Sequence, residues 1–258
     1  PASAPLTGLA SNTWYYWRVT AGNFCGEANV SSVFRFKTAP APGDCDDSTV
    51  QVELFGEDFS AGLNGFSTSG SSGAQTWAIS SARPSPISGG GAVRATNIAS
   101  ISDQRLTSPS LALPLDQNPI TLRFQNWRDL EGPSGSDARC WDGGVLEISA
   151  NGGPFSQIPD SIILNDPYRG PISGNFGNPL ADLPAWCNPS SSPRAWADTL
   201  VDLSNWAGQS VQLRWRLGTD SSFDREGWYV DDVRVHACET ADTPLLPEIF
   251  ADGFEANP

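Results

Sequence analysis

The segment EGWYVDDVRV, Glu226–Val235, has the residue types of a β-strand but sets two acids side by side in its middle. Trp228, Tyr229, Val230, Val233 and Val235 all favour extended backbone. Strict alternation would put Tyr229, Asp231, Val233 and Val235 on one face, and Trp228, Val230, Asp232 and Arg234 on the other. Whichever face meets a core then carries a carboxylate. An uncompensated buried carboxylate costs several kcal/mol. The strand therefore needs a guanidinium or a cation beside Asp231 and Asp232.

Working outward, strand signals recur and helix signals are scarce. The chain of 258 residues holds 25 Gly and 21 Pro, and no long segment shows an apolar period of 3.6. Extended segments include TWYYWRVTA (13–21), VFRFKT (33–38), VQVELFGEDF (50–59), ITLRFQNW, GGVLEIS and VQLRWRL. In the last of these, Val211, Leu213, Trp215 and Leu217 alternate with Gln212, Arg214 and Arg216, a strand with one apolar and one polar face. Many short strands punctuated by Gly and Pro predict an all-β sandwich or barrel. Residues 154–196 are Pro-rich and irregular and read as an excursion from the sheet.

The net charge is −14 and the sequence pI is about 4.3. Nucleic acid and anionic membrane both require a positive footprint, so neither is expected as a partner. No apolar run approaches the length of a membrane-spanning helix, so no membrane insertion is expected. An acidic chain has room for cations. Five scattered cysteines, Cys25, Cys45, Cys140, Cys187 and Cys238, form no CxxC, and His236 is the only histidine. That pattern speaks against zinc and for an exported protein with disulfides.

Two resemblances add to this reading. LASNTWYYWRVTA and VFRFKT resemble the sixth and seventh strands of a fibronectin type III domain, with Tyr15 in the position whose hydroxyl bonds back to the preceding corner. Segments between residues 46 and 239 resemble a jelly-roll module of exported bacterial proteins, similar to the MAM domain and to the sandwich domain of immune-inhibitor-A-like metallopeptidases. The matching segments are GEDFSAGLNGF, QRLTSPSLALP, TLRFQNW, DGGVLEISANGG, VDLSNWAGQSVQLRWRLGTDSS and EGWYVDDVRV. The implied fold is an all-β jelly-roll sandwich preceded by a partial immunoglobulin-like sandwich. The implied domains are a partial fibronectin type III domain at 1–39, a linker at 40–48, the jelly roll at 49–239 and a tail at 240–258. In the tail, IFADGFE echoes the LFGEDFS of the first jelly-roll strand.

The second resemblance implies a structural calcium between the first and last strands, with Glu57, Asp58, Asp231 and Asp232 as ligands, although Ser60 stands where the family has a further Glu. The competing reading is an ion pair of Asp231 with Arg214, Arg216 or Arg234. Asp137, Asp142, Glu147 and Asp220 form a second acidic group, within which Asp142 opens a DGG turn. If the end strands of the sandwich are neighbours, Cys45 can join Cys238. Cys140 and Cys187 sit in loops near Trp141 and Trp186 and form the other expected pair. Cys25 is left over, with a partner upstream or Cys45 as its options. Trp77, Trp215 and Trp228 read as core, whereas Trp141, Trp186, Trp196 and Trp206 are the candidate platform for a sugar. His236 follows the last strand and is not expected to be catalytic.

The expected role is non-catalytic: an accessory region that binds or positions, in a secreted or cell-surface bacterial protein whose upstream domains include a hydrolase such as a protease. A structural surface subunit (an adhesin or filament protein) and a carbohydrate-binding module are the alternatives. The expected partners are those upstream domains, and polysaccharide or protein at the cell surface.

Overall fold

The computed structural model describes residues 5–23, 26–27, 29–133, 139–188 and 194–241. Cys25, Asp137 and the tail, with its IFADGFE motif, lie outside them.

Two antiparallel sheets pack face to face. One runs Ser156–Gln157, Gly143–Ala150, Ser210–Thr219, Ser102–Thr107, Ser67–Ser72 in spatial order, with Leu111–Ala112 also paired to Ser210–Thr219. The other runs Ile163–Asn165, Trp196–Asp202, Ile120–Asp129, Arg225–Thr240, Ala92–Asn97, Ala78–Ser80. The apolar face of VQLRWRL forms the expected interior: Val211, Leu213, Trp215 and Leu217 are fully buried. Trp215 meets Phe124 of the opposite sheet edge to face at 5.4 Å. Trp77 and Trp228 are likewise buried in this core, as their strand positions predicted.

The polar face of the same strand is also covered. Arg216 donates to Asp103 at 2.7 and 2.9 Å and to Glu147 at 3.0 Å, and Arg214 pairs with Glu147. Asp103 and Glu147 are only 1 % and 4 % exposed, so these guanidiniums neutralise buried charge. Burial pushes Asp103 upward, but its bonds and charge contacts with Arg216, Ser71 and Arg105 hold it below the ordinary carboxylate value.

The final strand, Arg225–Thr240, organises the second sheet. One edge pairs with Ile120–Asp129 along most of its length. The other is shared: Ala92–Asn97 pairs with its first part, up to Val230, and Thr49–Glu57 with its second, from Val233 onward. The change of partner falls on Asp231 and Asp232. Asp232 has φ of +48°, a left-handed conformation costly for a side chain with a Cβ. Strict alternation therefore fails here. Trp228 and Val230 face the core before the acids, and Val233, Val235 and Ala237 face it after them. An irregular step at the acid pair changes the parity, as a bulge does. The expected grouping of Tyr229 with Val233 and Val235 is corrected accordingly: Tyr229 packs outside with Trp127.

Two glycines let this strand be approached closely. A Cβ on Gly144 would lie 2.5 Å from the Trp228 ring, and one on Gly227, at φ of +119°, would lie 2.0 Å from the Ala95 carbonyl. Two disulfides complete the sandwich, Cys45–Cys238 across its ends and Cys140–Cys187 fastening the excursion to the segment ahead of the Gly143–Ala150 strand, in the pairing expected. Among the described residues the excursion supplies short strands, including Gly170–Pro171 paired with Pro184–Ala185.

Ahead of the sandwich, Trp14–Trp17 pairs with Phe34–Lys37 as a separate two-stranded sheet. The Tyr15 hydroxyl accepts the Ala10 N–H at 2.7 Å, the corner contact that the resemblance implied. Asp47 ties this hairpin to the sandwich by pairing with Lys37 and accepting from Asn12.

Candidate functional site

The acid pair sits where three elements meet. Asp231 is fully buried and Asp232 is 2 % exposed. The Asp232 N–H donates to Asp231 Oδ1 at 2.7 Å, and Ser88 Oγ donates to Asp231 Oδ2 at 3.3 Å. Ser85 Oγ donates to Asp232 Oδ2, joined by the Ser88 N–H at 3.4 Å. Asp232 Oδ1 is buried and has no hydrogen-bond partner. Among the described residues, none of the three candidate arginines pairs with either acid. Arg234 pairs with Glu53, and Arg214 and Arg216 serve Glu147 and Asp103, so the ion-pair reading of Asp231 is not realised. Burial pushes the Asp231 carboxyl up to about 7, with the charges of Asp232 and Asp58 adding to the rise.

The first strand brings Glu57 opposite Val233, one residue from Asp232. Glu57 Oε1 accepts the Phe59 N–H at 2.6 Å and Asn64 Nδ2 at 3.1 Å. Asp58 accepts the Ser60 N–H at 3.0 Å, and the Ser60 side chain together with this backbone contact holds its carboxyl below the ordinary value. Glu57, Asp58, Asn64, Glu53 and Arg234 line one open polar cleft. The four expected ligands thus lie in one region, but no three of them bring carboxylate oxygens within 4.8 Å of one another. Asp231 and Asp232 are buried in the strand switch, Glu57 ends the first strand, and Asp58 begins the turn after it. Ser85 and Ser88, from the SARPSPISGG loop, were missed by sequence reasoning, because nothing local marks a serine loop that folds back onto the last strand.

A second acidic group forms elsewhere and is not the one expected. Glu131, Asp142 and Asp220 bring carboxylate oxygens within 4.8 Å of one another. Glu147 belongs instead to the arginine ladder. Antiparallel pairing sets Gly143 opposite Gly218, which carries Asp142 and Asp220 to the same end of the sandwich. The Glu131 carbonyl accepts the N–H groups of Trp141 and Asp142, which draws its loop to the same place. Asp142 is fully buried rather than a simple turn residue. It accepts from Asp220 N–H and Asn97 Nδ2, each at 2.6 Å. Burial nevertheless pushes it up to about 8, and the neighbouring Asp220 and Glu131 charges act in the same direction. Burial likewise raises Glu131. Among the described residues this is the group of three acids close enough to share one ion.

The aromatic platform is corrected in part. Trp186 is fully buried against Tyr168 and Phe124. Trp196 packs toward Tyr229 and donates to the Pro84 carbonyl, and Trp206 leans on the core. Trp141 keeps an exposed aromatic neighbour, Phe176, with ring centroids 5.5 Å apart. His236 is partly buried, and burial lowers it below its ordinary value. Its Nε2 lies 3.6 Å from Glu53.

No protein-family profile matches the chain. It is 25 % identical over 197 residues to Bacillopeptidase F of Bacillus subtilis (strain 168), covering 74 % of this chain and 11 % of that protein. It is 30 % identical over 131 residues to the pre-pro-metalloprotease PrtV of Vibrio cholerae serotype O1 (strain ATCC 39315 / El Tor Inaba N16961), covering 51 % and 11 %. Among solved structures, TmCBM61 in complex with β-1,4-galactotriose is 14 % identical, with a TM-score of 0.40, covering 69 % of this chain and 93 % of that one. The K3 cleaved adhesin domain of Lys-gingipain from Porphyromonas gingivalis w83 is 18 % identical, with a TM-score of 0.38, covering 72 % and 99 %. The chain is therefore similar to one stretch, about a ninth, of each of two bacterial proteases.

Proposed function

We propose that this chain is a non-catalytic accessory region of an exported bacterial protein, whose jelly-roll sandwich is locked by calcium at the strand switch. The observation that carries the accessory reading is the similarity to a short stretch of two much longer proteases. The tyrosine-corner contact of Tyr15 supports a fibronectin-type unit ahead of the sandwich. Calcium is supported by two buried carboxylates without a guanidinium and by the unpartnered Asp232 Oδ1. Hard cations take six to eight oxygens, so Glu57, Asp58 and backbone carbonyls would have to close in on Asp231 and Asp232 when the ion binds to complete such a set. The cation would fasten the first strand and the serine loop to the last strand, so that a binding surface stays rigid when the protein works outside the cell.

The chemistry left to the module is recognition. The half-buried Trp141 with the exposed Phe176 beside it supports a sugar-stacking surface, which favours polysaccharide over a purely structural role. The test is a pull-down on insoluble polysaccharides and on cell-surface protein, with and without chelator, alongside a peptide-hydrolysis assay. Chelator-sensitive binding without hydrolysis is expected. Hydrolysis that disappears in His236→Ala would overturn the reading.

A further inference from the structure

One surface is unlike the rest of this acidic molecule. In the Trp14–Trp17/Phe34–Lys37 hairpin, Trp14 stands opposite Lys37 and Tyr16 opposite Arg35, so these four share a face. Alternation continues that face to Arg18. Trp14 and Tyr16 are 47 % and 64 % exposed, and the Arg35 guanidinium lies 4.7 Å over the Trp14 ring. Aromatic rings and three bases are thus gathered on a chain whose net charge is −14. Exposed rings set among bases make a patch of the kind that marks a docking surface.

The end of the described chain lies beside it. Ala241 donates its N–H to the Ser48 carbonyl at 3.0 Å. The preceding residue, Asp47, is the one that pairs with Lys37 and accepts from Asn12. Residues 242–258 follow, with Asp242, Glu248, Asp252 and Glu255 but no Lys or Arg, and with Leu245, Leu246, Ile249, Phe250 and Phe254. At about 3.3 Å per extended residue, this length reaches roughly 56 Å, several times the length of a four-residue strand.

We infer that residues 242–258 dock on the Trp14/Tyr16/Arg35 face of the hairpin. Phe250 and Phe254 meet the exposed rings, while the acids of the tail face Arg18 and Arg35. The tail thereby ties the N-terminal hairpin to the C-terminal end of the sandwich, an intramolecular clamp between the two units.

Amide hydrogen exchange of residues 14–17 and 34–37 in the full chain and in a variant lacking 242–258 tests this. Deletion should speed exchange at the hairpin at least tenfold, and a synthetic peptide of residues 242–258 added in trans should restore protection. Arg35→Glu should weaken that peptide at least tenfold, and 0.5 M salt should weaken it too. Three results would overturn the inference: a hairpin that exchanges equally fast with and without the tail, a deletion that exposes the Thr49–Glu57 strand instead of the hairpin, or hairpin protection that rises with protein concentration regardless of the tail, which would make a second copy the occupant.

Discussion

Replacing Asp231 by Asn isolates the cost of the buried acid pair. In the unfolded chain an aspartate releases its proton near pH 3.9. In the folded protein, burial and the charges of Asp232 and Asp58 push Asp231 up to about 7. Between these values the folded state holds a proton that the unfolded state has lost, so raising the pH favours unfolding. Stability contributed by the protonated group is complete below about pH 4 and is lost as the pH rises to about 7. Three pH units at 1.36 kcal/mol each amount to about 4 kcal/mol. The Asn side chain suits the site. Its Oδ1 can accept the Asp232 N–H as Asp231 Oδ1 does, and its amide can donate to the Ser88 hydroxyl in place of Oδ2. In chelator, Asp231→Asn and the native protein should be similar in stability near pH 4. By pH 7.5 the variant should be ahead by about 4 kcal/mol, or roughly 10 °C in Tm for a chain of this size. Calcium should narrow the gap by stabilising the native protein alone, by about 2.7 kcal/mol at a hundred times its Kd. Denaturant unfolding and scanning calorimetry across pH read both quantities. A variant less stable than the native protein at pH 7.5 in chelator, or a difference that does not change with pH, refutes the reasoning.

Arg216→Met should destabilise by about 3–5 kcal/mol in chemical denaturation, because it strands the buried carboxylates of Asp103 and Glu147. A Cys45→Ala/Cys238→Ala variant releases a closure spanning 193 residues and should lose about 5 kcal/mol in the chain-entropy account, read as a lower Tm that reductant lowers further only through the remaining Cys140–Cys187 bridge. Glu131→Gln removes one of three crowded carboxylates and should raise Tm in chelator at neutral pH, whereas a fall would show that Glu131 holds the loop by other means.

The all-β architecture was legible because alternation in segments such as VQLRWRL is a local signal, and burial of Val211, Leu213, Trp215 and Leu217 follows from it directly. The disulfides were legible once the end strands were taken as neighbours. Face assignment at Asp231 was not. It depends on a left-handed residue at a change of strand partner, and neither property is written in the types of the residues involved. Asp142 looked like a turn residue because DGG is a turn signal, but strand register against Ser210–Thr219 carries it to Asp220 and Glu131. Trp186 looked like a loop ring available to a sugar. The excursion that carries it folds back over the core, and its Nε1 donates to the Asp166 carbonyl. Local pattern thus fixes which residues extend, whereas long-range register fixes which charges meet.

The central claim is that a cation compensates the acids at the strand switch. Crystals grown with calcium, measured at a long wavelength for anomalous scattering, test it most directly. The account predicts a peak about 2.3–2.6 Å from Asp232 Oδ1, with Asp231 and the Glu57–Asp58 turn supplying further oxygens. Asp231 and Asp232 satisfied by Ser85 and Ser88 alone, with no peak between the first and last strands at millimolar calcium, would contradict it.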